Sequence, residues 1–231
     1  MKCAIMQPTY LPWAGYFNLI SLVDIFIFLD DVQYEKSSWQ NRNRILINHQ
    51  PHFLTVPILH KSLSQKINEI EIDDKKNWRK KHSISIQNNY AKCRYIEHIL
   101  PIIDIIYDKK ITNLCELNIK IITLISKLLG LSPVFLVSSQ LGIEGKRSEK
   151  IIKICQYLGC EEYISPIGAK EYIDKDGLFN NSMIKLTFQE FIPTAYPQKD
   201  SNNFISHLSI IDLVANIGWS SASDYVRSKY L

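Results

Sequence analysis

Hydrophobic and polar positions change register several times within the first fifty residues. Cys3-Ala4-Ile5-Met6 is a short apolar run closed off by Pro8 and Pro12, the length and punctuation of a buried strand. From Gly15 the spacing becomes helical: Tyr16, Leu19, Ile20 and Val23 fall at i, i+3, i+4 and i+7. Ile25-Phe26-Ile27-Phe28-Leu29 is apolar without a break, as in a parallel strand covered on both faces. These three segments predict a βαβ unit. Arg42 and Arg44 then alternate along a further strand, with Ile45 and Ile47 on its other face, and residues 52–58 have the composition to pair with it as a hairpin.

Further along, Asp73-Asp74 are good N-cap residues for a helix running from about Asp74 to Tyr90. Two more helical stretches lie between Ala91 and Gly130, so residues 74–130 read as a helical layer or insertion. A second α/β unit follows: a strand over Pro133–Val137, a helix over Lys146–Leu158, a strand over Glu162–Ile164, and a last strand over Ile184–Phe191. Ser209-Ile210-Ile211-Asp212 and Ser221-Ala222-Ser223-Asp224 have capping-box spacing, with Gly218 stopping the helix between them, so Asp212 is read as a cap. The expected fold is α/β, a Rossmann-like and mostly parallel sheet flanked by helices, as one domain over residues 1–231.

Composition narrows the class. Of 231 residues, 46% are hydrophobic and 22% charged, an ordinary globular balance. A net charge of +4 is too small and too dispersed to argue nucleic-acid binding but suits an anionic small ligand. The five cysteines form no C-x-x-C pair and read as free thiols. No signal-peptide pattern opens the chain and no apolar run reaches spanning length, so a cytoplasmic protein without membrane insertion is expected.

Candidate chemistry gathers at strand ends. In open α/β sheets ligands collect where strand carboxyl ends meet helix N-termini, and Gln7 to Trp13 and Asp30 to Tyr34 occupy two such ends. Gln7, Trp13, Tyr16, Asp30, Gln33, Lys36 and Trp39 are therefore placed with the substrate, and Asp31 with the catalytic residues. Arg42 and Arg44 project together, as a phosphate or carboxylate requires; the alternative is that Asp30 and Asp31 merely neutralise them. Trp78, His82, Ser85 and Asn89 form a polar stripe along one helix that is unlike core. It faces either water or a cleft, and in a cleft His82 serves as general base with Lys81 touching a phosphate. SSQLGIEGKRS, before the helix at Lys146, is a phosphate cradle or a plain connection. Ser165, Gly168 and Tyr172 follow a third strand end and complete the candidate site. No metal-ligand spacing, nucleophile elbow or dinucleotide fingerprint occurs, and no cofactor is named by the sequence.

The segments AIMQPTYLPWAGYFNLI, DDVQYEKSSWQNRNRI, FLTVP, WRKKHSISIQNNY, YISPIGAKEYI, YPQ and LSIIDLVANIG span nearly the whole chain. They resemble the WbqC-like family, proteins encoded in bacterial O-antigen and other surface-polysaccharide clusters, which implies a role in building an unusual sugar. The strand, proline turn and glycine-aromatic helix start also resemble the adenylate-forming nucleotidyltransferases. Their H-x-G-H signature falls on Trp13, Ala14, Gly15 and Tyr16, with neither histidine present, so that likeness bears on fold alone. Three functions are carried forward. The first is acyl or aminoacyl transfer to the amino group of a nucleotide-linked sugar. The others are nucleotidyl transfer or adenylate-forming ligation, and non-catalytic binding of a sugar nucleotide. Oligomeric state is left open.

Overall fold

The computed structural model describes residues 1–59, 62–199 and 203–228. In chain order the strands are β1 (Lys2–Met6), β2 (Ile25–Phe28), β3 (Arg42–Ile47), β4 (Gln50–Thr55), β5 (Ile58–Leu59), β6 (Glu71–Ile72), β7 (Val134–Val137), β8 (Glu162–Ser165) and β9 (Lys185–Phe188). The helices are α1 (Ala14–Ser21), α2 (Trp78–Tyr90), α3 (Leu100–Tyr107), α4 (Leu114–Leu128), α5 (Ser138–Leu141), α6 (Arg147–Tyr157), α7 (Lys170–Asp176) and α8 (Ile210–Arg227).

Five strands form one parallel sheet in the order β7-β2-β1-β8-β9. The chain leaves β1 toward β2 and β7, then returns to the other side of β1 for β8 and β9. That is the doubly wound order, and its reversal between β1 and β8 is where the crevice of such folds opens. The continuous apolar run of β2 is explained by this placement, since a central parallel strand is covered on both faces. Ala4, Phe26 and Phe28 face one core with α1, α8 and the α2–α4 layer. Cys3, Ile5, Ile25 and Ile27 face the other, with α6 and α7. The helical stretch expected over 74–130 is this layer.

The arginine strand lies outside the main sheet. β3 and β4 form an antiparallel hairpin whose two-residue turn, Asn48 and His49, takes φ of 46° and 64°. Both residues are left-handed, as the twist of a tight hairpin requires. The last strand is shorter than expected because the chain turns away after Phe188 and Gln189 reaches back to α1. Helical conformation stops at Gly218, as expected, at φ 77° and ψ 170°, a region open to glycine alone, and resumes beyond this kink to complete α8; the Tyr95 ring fills the space where a Cβ would sit. Ser221 and Asp224 both lie within the helical residues beyond Gly218, so the second capping box does not start a helix. All five cysteines are free, with the Cys3 and Cys155 sulfurs 3.4 Å apart. Among the described residues no helix is long and apolar enough to cross a membrane.

Candidate functional site

The loop leaving β1 is held by buried amides. Asn43, on the inner face of β3, donates to the carbonyls of Tyr10 (3.2 Å) and Leu11 (2.9 Å), and Asn118 of α4 donates to those of Pro8 (3.1 Å) and Gln40 (2.8 Å). These bonds fix Leu11 at φ 44°, a strained value for a residue with a Cβ. The loop ends at Trp13, the N-cap of α1, whose indole lies flat over Gly15: a Cβ there would fall 2.1 Å from the ring. Tyr16 is buried and donates its hydroxyl to the Gln7 carbonyl. The Gln7 side chain accepts from Gln40 at 2.8 Å.

Beside this loop the outer face of the hairpin alternates cations and rings. Arg42 stacks on Phe53 at 4.4 Å and Arg44 lies 5.7 Å from the Trp39 ring. Phe53 and Trp39 sit 5.9 Å apart and are about half exposed, at 47% and 49%. Arg44 also donates to the His207 carbonyl, and the His207 ring packs against Trp13 at 4.5 Å, tilted by 33°. Arg42, Trp39, Arg44, His207 and Trp13 therefore form one continuous surface that joins the hairpin to the exit of β1. Arg44 Nε is buried with no hydrogen-bond partner.

The two aspartates expected to face these arginines are engaged elsewhere. Asp30 is buried and accepts from the backbone (2.9 Å) and hydroxyl (2.7 Å) of Ser139 and from Asn68 (3.2 Å). A carboxylate thus already occupies the start of α5, which removes that part of the SSQLGIEGKRS stretch as a cradle for an external phosphate. Asp31 forms a buried ion pair with Lys150 of α6. No carboxylate pairs with Arg42 or Arg44 among the described residues, so neutralisation by Asp30 and Asp31 does not occur. Gln33 binds the Leu63 carbonyl, and Lys36 is exposed on the following turn.

The stripe on α2 is core at its N-terminal half. Trp78 and His82 are 3% and 6% exposed, and Ser85 and Asn89 are partly covered. His82 Nδ1 meets the Tyr10 hydroxyl at 3.0 Å and the ring bonds the Thr55 backbone, so the imidazole ties α2 to the β1 exit and to β4. Burial holds its pKa down at about 4. Lys81 is exposed on α2.

Ser165 is buried at the end of β8, Gly168 is exposed with open space above it, and Tyr172 is partly exposed on α7. The exits of β1, β2 and β8 share one edge of the sheet because the three strands are parallel neighbours. Two clefts among the described residues are lined by other parts of the chain. One, of about 260 Å³, is lined by Asn48, His49, Tyr90, Lys92 and Lys199; the other, of about 310 Å³, by Asp24, Gly130 and Arg227 at the opposite end of the strands. The arginine–tryptophan surface is open and unenclosed by comparison.

Two residues gain their importance from contacts no local pattern signals. His207 lies in a stretch without periodicity, and only the fold brings it to Trp13 and Arg44. Asp212 does not cap α8; Ser209 does, accepting from the Ile211 amide. The Asp212 carboxylate is fully buried and accepts from Tyr90 (2.9 Å), Tyr196 (2.6 Å) and Gln198 (3.0 Å). Tyr90 in turn accepts from the Leu46 amide of β3, and Gln198 holds Ile205 in the loop before His207. One carboxylate therefore links α8 to both strands of chain that carry the arginine–histidine contact.

The model of the WbqC-like protein family matches residues 7–224. Uncharacterized protein Rv1507c of Mycobacterium tuberculosis is 34% identical over 228 residues, covering 98% of this chain and 97% of that one. No solved structure matches the chain. The family match takes in the β1 exit loop, the arginine hairpin and the Asp212 cluster alike, and on that extent the chain belongs to the WbqC-like protein family.

Proposed function

We propose that this protein is an enzyme of bacterial surface-polysaccharide assembly that binds a nucleotide-linked amino sugar and transfers an acyl or aminoacyl group to its amino nitrogen. The observation that carries the reading is the pair of guanidiniums on the outer face of β3. Each lies over an aromatic ring, at 4.4 Å for Arg42 and 5.7 Å for Arg44, neither is matched by a carboxylate among the described residues, and Arg44 Nε is buried without an acceptor. Two planar forks side by side suit the oxygens of a diphosphate, and half-exposed rings beside them suit a base or sugar face. Trp13 and Trp39 take that stacking role, with Gln7 and the β1 exit behind them. The class of sugar-modifying reaction rests on the resemblance to surface-polysaccharide proteins.

The test is affinity for UDP-, dTDP- and GDP-linked sugars in Arg42→Lys and Arg44→Lys. Lysine keeps the charge and loses the fork, so each change should weaken binding by about 1–3 kcal/mol, with the melting temperature nearly unchanged. Unchanged affinity with a lowered melting temperature would make the arginines structural and remove the surface from consideration.

A further inference from the structure

Two histidines compete for the role of proton acceptor, and their surroundings differ sharply. His82 is enclosed, with its ring bonded to Tyr10 and to the Thr55 backbone. His207 is exposed, packs against Trp13 with the rings tilted by 33° and hangs from the same turn of chain whose carbonyl accepts from Arg44. We infer that His207 is the group that removes a proton from the amino nitrogen of the bound sugar.

The turn is built to hold this ring in place. His207 sits at φ 59°, a left-handed conformation that is strained for a residue with a Cβ. The chain on either side is pinned: the Ser209 amide donates to the Arg44 carbonyl at 2.8 Å, the Ile210 amide to the Pro12 carbonyl at 2.8 Å, and Trp13 pairs with Ser209 in an antiparallel bridge. His207 Nδ1 lies 2.8 Å from the Ser206 hydroxyl. In the tautomer that donates from Nδ1 to Ser206, the lone pair sits on Nε2, the nitrogen left for substrate. Partial burial and the Arg44 charge both lower the imidazole pKa, which keeps the ring neutral near pH 7. The charge of Arg44 on β3 acts on the ring, while the loop before α1 offers it the uncharged Trp13 ring.

The inference rests on the sugar-nucleotide reading above and deepens it. If Arg42 and Arg44 hold the diphosphate, the sugar lies next to them, within reach of the Trp13–His207 pair. An amino sugar arrives as an ammonium, which is not a nucleophile. An N–H bond breaks, its electron pair stays on the sugar nitrogen, and the proton passes to Nε2 to give imidazolium. Arg44 then has two effects: it anchors the phosphate, and it disfavours the charged imidazole, so the proton is readily given up afterwards.

The experiment is limited labelling of the full chain with diethyl pyrocarbonate, which modifies neutral imidazole, with each histidine read by peptide mass spectrometry between pH 5 and 8. Expected are labelling of His207 with a midpoint below the ordinary histidine value and a rise of that midpoint in Arg44→Met. UDP-glucosamine at a hundred times its Kd should protect His207 by roughly a hundredfold, the free fraction at that occupancy, without protecting exposed His49 or His52. If UDP-glucosamine binds but leaves His207 labelling unchanged, the base assignment is overturned and the binding reading stands. If UDP-glucosamine does not bind, or binds equally well to Arg44→Lys, both fall together.

Discussion

Asp212→Ala is expected to destabilise the protein by about 3–5 kcal/mol, since each of several buried donors left unsatisfied costs about 1–3 kcal/mol. At about 2–4 °C per kcal/mol for a chain of this size, the melting temperature should fall by on the order of 10 °C. The reason is local: the carboxylate is fully buried, and its removal leaves the hydroxyls of Tyr90 and Tyr196 and the amide of Gln198 without their shared acceptor. Asp212→Asn keeps one acceptor oxygen and should lose less than half as much. Burial raises the Asp212 pKa against the opposing effect of its three hydrogen-bond donors. For an acid with a raised folded pKa, the stabilising contribution is complete below the unfolded value and is lost as pH rises through the folded one. A thermal melt of Asp212→Ala within about 2 °C of the parent would show that the cluster does not hold the loop to α8.

The second large effect has the opposite sign in pH. His82 has a folded pKa of about 4 against 6.5 in the unfolded chain. Between those values the unfolded state binds the extra proton, so stability is complete above pH 6.5 and is lost as pH falls toward 4. The gap corresponds to about 3 kcal/mol, and with the ring 6% exposed little solvent screening reduces it. His82→Gln retains an amide able to bond the Tyr10 hydroxyl but does not titrate. Chemical denaturation of both proteins from pH 7.5 to 4 should therefore show the wild type losing about 3 kcal/mol relative to the variant. Taking the difference cancels groups common to both, Asp212 included. Parallel profiles would mean that His82 is protonated in the folded state and is not enclosed as described.

The contrast between these two residues shows where sequence reading reached its limit. The strands and helices of the sheet are legible because their burial is decided locally: an unbroken apolar run for β2, a 3.6 period for α1, and alternation on β3 that sets Arg42 and Arg44 on one face with Ile45 turned inward. The polar stripe on α2 follows the same logic and misleads, because Trp78 and His82 are polar residues whose partners, Asp74, Tyr10 and Thr55, make burial tolerable. Ser209 and Asp212 match a capping spacing, yet the carboxylate turns to two tyrosines from distant segments, which spacing cannot register. Asp31 likewise meets Lys150 across 119 positions of sequence, leaving the nearer arginines unmatched. His207 had no local signal, since its neighbours in sequence carry none of the chemistry that surrounds it in space.

The four tryptophans provide a direct test of the arginine–tryptophan surface as the binding site. Trp13 and Trp39 lie on it, whereas the Trp78 indole donates to Asp74 at 2.8 Å and the Trp219 indole to the His98 carbonyl at 3.2 Å, both away from it. Indole N–H resonances, assigned by single Trp→Phe changes, should be followed while UDP-glucosamine is added. Shifts at Trp13 and Trp39 with Trp78 and Trp219 stationary are the predicted result; shifts confined to Trp78 or Trp219, or no shift at any indole under saturating ligand, would contradict it.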